Sequence, residues 1–155
     1  MDLPYSSRQF VWCQFPFSED PLQPGPKEHV GYVADVGQIG ENVHYTVMAL
    51  YTTTSQWKAG ENLPLGIIPV DLQSAGAMNQ KQFVMDARRV AFIPLNAEFF
   101  PRIVTPGRGV IHTASNVFHS KVLGVLTQLS KRQDLILRLG PDNPAISKRD
   151  RGRDR

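Results

Sequence analysis

The chain is expected to be mainly β (α+β), a small β-barrel or half-open sheet with one C-terminal helix lying on it. Three observations carry that expectation. Short runs rich in Val, Ile, Tyr and Phe alternate with Gly- and Pro-bearing breaks as far as Pro101. A single stretch of helical periodicity begins at Ser115. A length of 155 residues allows one well-buried core but not two ordinary domains. We therefore place one domain at 1–140 and a basic tail at 141–155.

Taken in order, residues 9 to 15 (Gln-Phe-Val-Trp-Cys-Gln-Phe) read as a strand that stops at Pro16. Pro16, Pro21, Pro24, Gly25 and Pro26 then prevent regular structure and mark a long surface loop over 16–28. From His29 the alternation puts Val30, Tyr32, Ala34 and Val36 on one face. Gly37 to Glu41 turns the chain into a second run from Asn42 to Tyr51, which is a hairpin pattern. The polar tract Thr52-Thr53-Thr54-Ser55 closes that run. Gly66 to Val70 reads as a short strand confined to an edge by Pro69, which has no N–H to donate. Residues 73–80 are too short and Gly-interrupted for a helix. Phe83 to Asp86 and Arg89 to Ile93 read as two further short strands around Asp86-Ala87-Arg88.

The helix has Ser115 as its N-cap and carries Phe118, Val122, Val125, Leu126 and Leu129 on one face, with Lys121, Gln128 and Lys131 mostly elsewhere. Gly124 weakens it by about 1 kcal/mol relative to alanine. The apolar stretch Leu135 to Leu139, ending at Gly140-Pro141, either continues the helix or forms a short extra element.

Hydrophobic content of 41% and charge of 20% are ordinary, so composition selects no function. The single cysteine, Cys13, has no internal disulfide partner and lies in an apolar run, where a small buried hydrophobe fits. The N-terminus has no signal-peptide pattern, and no run approaches the roughly 18 apolar residues of a membrane span. A cytoplasmic protein with no membrane partner is the expectation. The net charge of +3 resides in the tail, where Lys148, Arg149, Arg151, Arg153 and Arg155 face Asp150 and Asp154. That tail reads as a solvated, disordered end able to touch nucleic-acid phosphates.

Several chemistries are disfavoured by the motifs. One cysteine and four histidines, of which only His112 and His119 are loosely spaced for ligation, suggest no metal site, and no cofactor motif is seen. Gly107-Arg108-Gly109 lacks the Gly-Lys-Ser/Thr ending of a P-loop, and no Gly-x-Ser-x-Gly nucleophile elbow occurs. What remains are polar residues at loop–strand junctions: His29, the Thr52-to-Ser55 tract, Lys27, Lys58, Arg88 and Arg89. Metal-free RNA cleavage needs a base for the 2′-hydroxyl, an acid for the leaving 5′-oxygen, and donors for the charged phosphorane. Imidazole, guanidinium and clustered hydroxyls supply those roles. A β-branched strand end and a strand-end histidine account for the same residues, so both readings stand on composition alone.

The order of the pieces adds to this. Val11-Trp12-Cys13-Gln14-Phe15-Pro16, a Pro24-Gly25-Pro26-Lys27 loop feeding a strand, the Tyr51-to-Ser55 tract with Lys58 and Gly60-Glu61 behind it, and the late Arg89-to-Phe100 segment resemble the PemK/MazF-like toxins over roughly Val11 to Leu129. The resemblance implies an SH3-like β-barrel with a C-terminal helix, usually a homodimer, acting as a metal-independent endoribonuclease on single-stranded RNA and neutralised by a cognate antitoxin protein. Family members carry Arg-Pro-Ala at the start of the second strand, with the Arg catalytic, whereas this chain has Glu28-His29-Val30-Gly31. The resemblance therefore implies His29, Thr53 and Thr54 as catalytic residues, with His29 in the place of the missing Arg, and Lys27, Ser55 and Lys58 as RNA contacts. Two outcomes follow from it: an endoribonuclease toxin, or a catalytically inactive member of the same fold serving as a protein- or nucleic-acid-binding module.

Overall fold

The computed structural model describes residues 3–16, 20, 22–39, 44–53, 62–70 and 83–141. Among these residues, seven strands and one α-helix run in the order β1 (Gln9–Cys13), β2 (His29–Ile39), β3 (His44–Thr53), β4 (Ile67–Val70), β5 (Phe83–Pro94), β6 (Val110–Thr113), α1 (Asn116–Lys131) and β7 (Ile136–Leu139). The strands form one sheet in the order β4-β5-β3-β2-β1-β6, antiparallel throughout, with β7 added parallel to β5. Among the described residues no helix is long and apolar enough to cross a membrane.

The sheet curls strongly but does not close. Phe10 of β1 lies 5.7 Å, centroid to centroid, from Phe83 of β5, although β2 and β3 stand between those strands in the sheet. Yet β4 and β6, at the two ends, do not pair with each other among the described residues, so the half-open sheet is found and not the closed barrel. Both end strands have only four residues, and Pro69 within β4 has no amide hydrogen to offer a further neighbour.

Both faces are buried. On one, Phe10, Tyr32, Ala34, Leu50, Met85 and Val90 pack under Val122, Leu126 and Leu129 of α1. On the other, Tyr5, Val11, Cys13, Phe15, Val33, Val47 and Ile93 pack against Phe99 and Phe100. Burial pushes the Cys13 thiol up to about 12, so it packs as a hydrophobe. Gly31 sits on this face because a Cβ there would stand 2.7 Å from the Cys13 sulfur.

Four local expectations change. The turn expected at Gly37 to Glu41 does not begin at Gly37: β2 continues to Ile39, with Gly37, Gln38 and Ile39 paired to Thr46, Tyr45 and His44. A bulge between Val33 and Asp35 shifts the alternation of β2, so Val36 pairs with Val47 and packs on the opposite face from Val30, Tyr32 and Ala34. The two short strands at 83–93 are one strand, β5, whose irregularity falls where they were divided: Leu50 pairs with Val90 but the next residue, Tyr51, pairs with Asp86. Residues 135–139 are a strand and not a helix extension. Gln133 adopts a positive φ of 59° and the Asp134 amide donates to the Leu129 carbonyl, which ends the helix and sends Ile136–Leu139 along β5.

The Ser115 hydroxyl accepts from the Phe118 amide at 3.1 Å, as an N-cap does. Gly124 is exposed in mid-helix with nothing within 4 Å of where a Cβ would lie. Gly124→Ala is accordingly expected to stabilise the fold by about 0.5–1 kcal/mol, measured as a higher midpoint in urea with an unchanged slope. A lower midpoint would show that this helix face is covered.

Candidate functional site

The His29 ring lies at the start of β2, whose residues Gly31 and Val33 pair with Tyr51 and Ala49 of β3. That pairing puts His29, Tyr51 and Thr53 on the face away from α1, since residues two apart along a strand share a face. Continued by two residues, the register sets His29 across from Thr53. Thr52, one position back, is buried on the other face, and its hydroxyl donates to the Val30 carbonyl. Its role is thus to satisfy the sheet, which leaves Thr53 as the tract hydroxyl on the His29 side. Thr54, Ser55 and Lys58 lie outside the described residues, as does the tail beyond Pro141.

Tyr51 is the hub of the site. Its ring centroid is 5.7 Å from that of His29, 5.3 Å from that of Phe15, and 5.1 Å from the Arg89 guanidinium carbon. Arg138, whose side chain donates to the Pro16 carbonyl at 2.5 Å, lies over the second aromatic ring of this group, 5.0 Å from the Phe15 centroid. Asp86, nearly buried, sorts the two neighbouring arginines. It holds Arg88 in a two-pronged pair, Nε to Oδ1 at 2.8 Å and Nη2 to Oδ2 at 3.1 Å. Arg89 it meets through a single, longer contact, Nε to Oδ2 at 3.3 Å, and the Arg89 side chain remains 42% exposed. The Asp86 hydrogen bond raises the Arg88 pKa further. Arg89, the less tightly paired of the two, is therefore the arginine that lies over Tyr51, the ring that His29 also meets.

Compared with protein-family models, with curated proteins and with solved structures, the chain matches none.

Glu28, whose charge beside His29 opposes a phosphate, accepts from Arg102 Nε at 2.9 Å. The same guanidinium lies 4.4 Å over the Trp12 ring, so the Glu28 charge is offset by a cation fixed on an aromatic face. Lys27 is exposed beside this pair in sequence. Among the described residues, no three His, Cys, Asp or Glu side chains gather as a set that could hold a metal. His112 falls on β6 and His119 on α1, where its Nδ1 meets the Tyr32 hydroxyl at 2.6 Å.

Of the residues picked from the sequence, the structure thus brings His29 and Thr53 to one face. It adds Tyr51, Phe15, Arg89 and Arg138 to them. Arg89 was within reach of sequence reasoning as a loop–strand arginine, but its choice over Arg88 depends on how Asp86 is shared. Arg138 lies 122 residues from the carbonyl it holds, and no local pattern signals it.

Proposed function

We propose that this chain is a metal-independent endoribonuclease of toxin type that cleaves single-stranded RNA on the His29 face. The observation that carries the proposal is the convergence of an imidazole and an incompletely paired guanidinium on the Tyr51 ring. In this reading His29 exchanges protons with the reacting oxygens, which imidazole does efficiently near neutral pH. Arg89 stabilises the charge that gathers on the phosphorane, supplying the cation absent from the start of β2. Thr53 donates to a non-bridging phosphate oxygen, and Tyr51 offers an aromatic surface beside the scissile step. The 2′-oxygen attacks phosphorus and loses its proton, the bond to the 5′-oxygen breaks, and that oxygen takes a proton. The products are a 2′,3′-cyclic phosphate and a 5′-hydroxyl. The curled sheet with its terminal helix is read as an open SH3-like barrel, the architecture on which such a toxin would be built.

A second reading has its own support. Asp86 draws on both arginines, and Glu28 on Arg102, so much of the local positive charge is already answered. That suits a catalytically inactive module that binds RNA through the Tyr51 and Trp12 surfaces without cutting it.

The deciding experiment is incubation of a long mixed-sequence single-stranded RNA with the purified protein in EDTA. Cleavage that leaves cyclic phosphate ends, and is weakened in Thr53→Ala, supports the endoribonuclease. Intact RNA with the folded protein overturns it. Binding of that intact RNA that weakens steeply as salt rises would then select the binding module.

A further inference from the structure

We propose that the outer edge of β7 is a docking site for an extended, acidic segment of another protein, which adds to the sheet as a further strand. Along one side of β5, β4 pairs with Phe83 to Asp86 and β7 with Arg89 to Phe92. β7 meets no other strand among the described residues, so its second edge is open. In a parallel pair the N–H and C=O of every other residue point to the same neighbour. The Gly140 amide donates to the Phe92 carbonyl at 2.8 Å, which turns Ile136, Arg138 and Gly140 toward β5 and leaves the N–H and C=O of Leu137 and Leu139 facing outward. Among the described residues nothing takes up these outward groups. Their spacing is that of a ladder awaiting one more strand.

The side chains suit the same occupant. Ile136 is 48% exposed and Leu137 53%, and adjacent residues of a strand point to opposite faces. Ile136 is the register partner of Arg89, whose guanidinium lies over Tyr51, and so belongs to the His29 face. Leu137 is the partner of Val90 and belongs to the face that α1 covers. An added strand therefore finds an apolar contact on each side of the sheet. Edge strands are ordinarily guarded by a proline, an outward charge or a bulge. β4 has Pro69, whereas the one charged residue of β7, Arg138, is held on the Pro16 carbonyl and the Phe15 ring.

Charge and area select the occupant. Arg88 and Arg89, where β5 begins to pair with β7, are both partly exposed, and Lys131 and Arg132 are exposed where α1 turns into β7. Opposing them are Asp86, nearly buried and shared by the two arginines, and Asp134, exposed in the turn. Four cations against two carboxylates leave a positive rim, which attracts acidic residues flanking an apolar strand. Two copies of this chain would bring like rims together. A four-residue edge also falls short of the roughly 800 Å² that each partner contributes to a stable interface between folded proteins. A short acidic segment avoids both obstacles.

The test is amide hydrogen exchange read residue by residue by NMR, with three short synthetic peptides as probes. One alternates glutamate and valine, the second has lysine in place of glutamate, and the third is the glutamate peptide with proline in place of valine, which cannot form a ladder. Expected is a saturable slowing of exchange at Leu137 and Leu139 with the glutamate peptide, at an affinity that falls as salt rises, and binding weaker by about tenfold or more for the other two. Leu137→Pro removes an outward amide and no bond to β5, so the protein should keep a urea midpoint near that of wild type and bind the glutamate peptide about tenfold more weakly. Ile136→Glu, at an exposed position, puts a like charge on the edge and should weaken the glutamate peptide while favouring the lysine one, which keeps the test decisive if Leu137→Pro does not fold. His29→Ala should bind as wild type does, which separates this surface from the proposed cleavage site. No protection by any peptide, equal binding of the glutamate and lysine peptides, or binding unchanged in the folded edge variants overturns the proposal. Protection of Leu137 and Leu139 that grows with protein concentration in the absence of peptide would make a second copy the occupant and overturn it as well.

Discussion

Alanine at His29 is expected to slow the proposed RNA cleavage by about 100- to 10,000-fold, the range lost when a positioned acid–base group is removed. Arg89→Ala is expected to cost about 100- to 1,000-fold through loss of charge stabilisation in the transition state. The two should differ in what a conservative replacement restores. Arg89→Lys keeps the charge but loses the planar fork that lies over Tyr51, so it should recover only part of the rate. Single-turnover cleavage in EDTA with protein in excess isolates the chemical step, and RNA affinity measured on a non-cleavable 2′-deoxy strand separates binding from it. Neither change should unfold the protein. Arg89 is substantially exposed, its contact with Asp86 is the weaker of the two that carboxylate makes, and Arg88 keeps its two-pronged pair. A His29→Ala protein that cuts as fast as wild type would remove the imidazole from the mechanism.

Phe10→Ala is expected to destabilise the fold by about 3–5 kcal/mol, a large fraction of the roughly 5–15 kcal/mol that holds a domain together. Phe10 is buried at the point where most elements meet. Its ring lies 4.9 Å from Tyr32 on β2, 5.7 Å from Phe83 on β5, 6.3 Å from His112 on β6 and 6.1 Å from Phe118 on α1. Removing it opens a cavity whose walls belong to four different elements, so no single one can move to fill it. Denaturation in urea should show the loss as a lower midpoint. Val117→Ala provides the comparison, because Val117 is 82% exposed on α1 and should change stability by no more than about 0.5 kcal/mol. Similar midpoints for the two variants would mean that the curl of the sheet does not depend on Phe10.

Much of the fold was legible because its signals are local. Pro16 follows the first strand, alternating residues mark β2 and β3, and Ser115 opens a run of apolar residues at helical spacing. Two of the misreadings share one cause. Asp86-Ala87-Arg88 was taken as a break between strands, and Val36 as a companion of Val30, because a bulge changes alternation without leaving a composition of its own. Leu135 to Leu139 was ambiguous because a short apolar run has no period that distinguishes strand from helix, and its pairing with β5 is a contact made across a long separation.

The candidate site divides in the same way. His29 and the threonine tract were visible as polar residues at strand ends. Their grouping with Tyr51 and Arg89, and the assignment of Thr52 to the sheet and Thr53 to the face, depend on which carbon points to which side once β2 and β3 pair. By itself the sequence determined a mainly β chain with one terminal helix, its principal turns, and a buried unpaired cysteine, since propensity and periodicity act between near neighbours. Only the tertiary structure decided that the sheet curls and stays open, and which arginine lies over the Tyr51 ring. Those depend on side chains brought together from distant segments, where the shared carboxylate of Asp86 or the packing around Phe10 selects among residues that look alike in sequence.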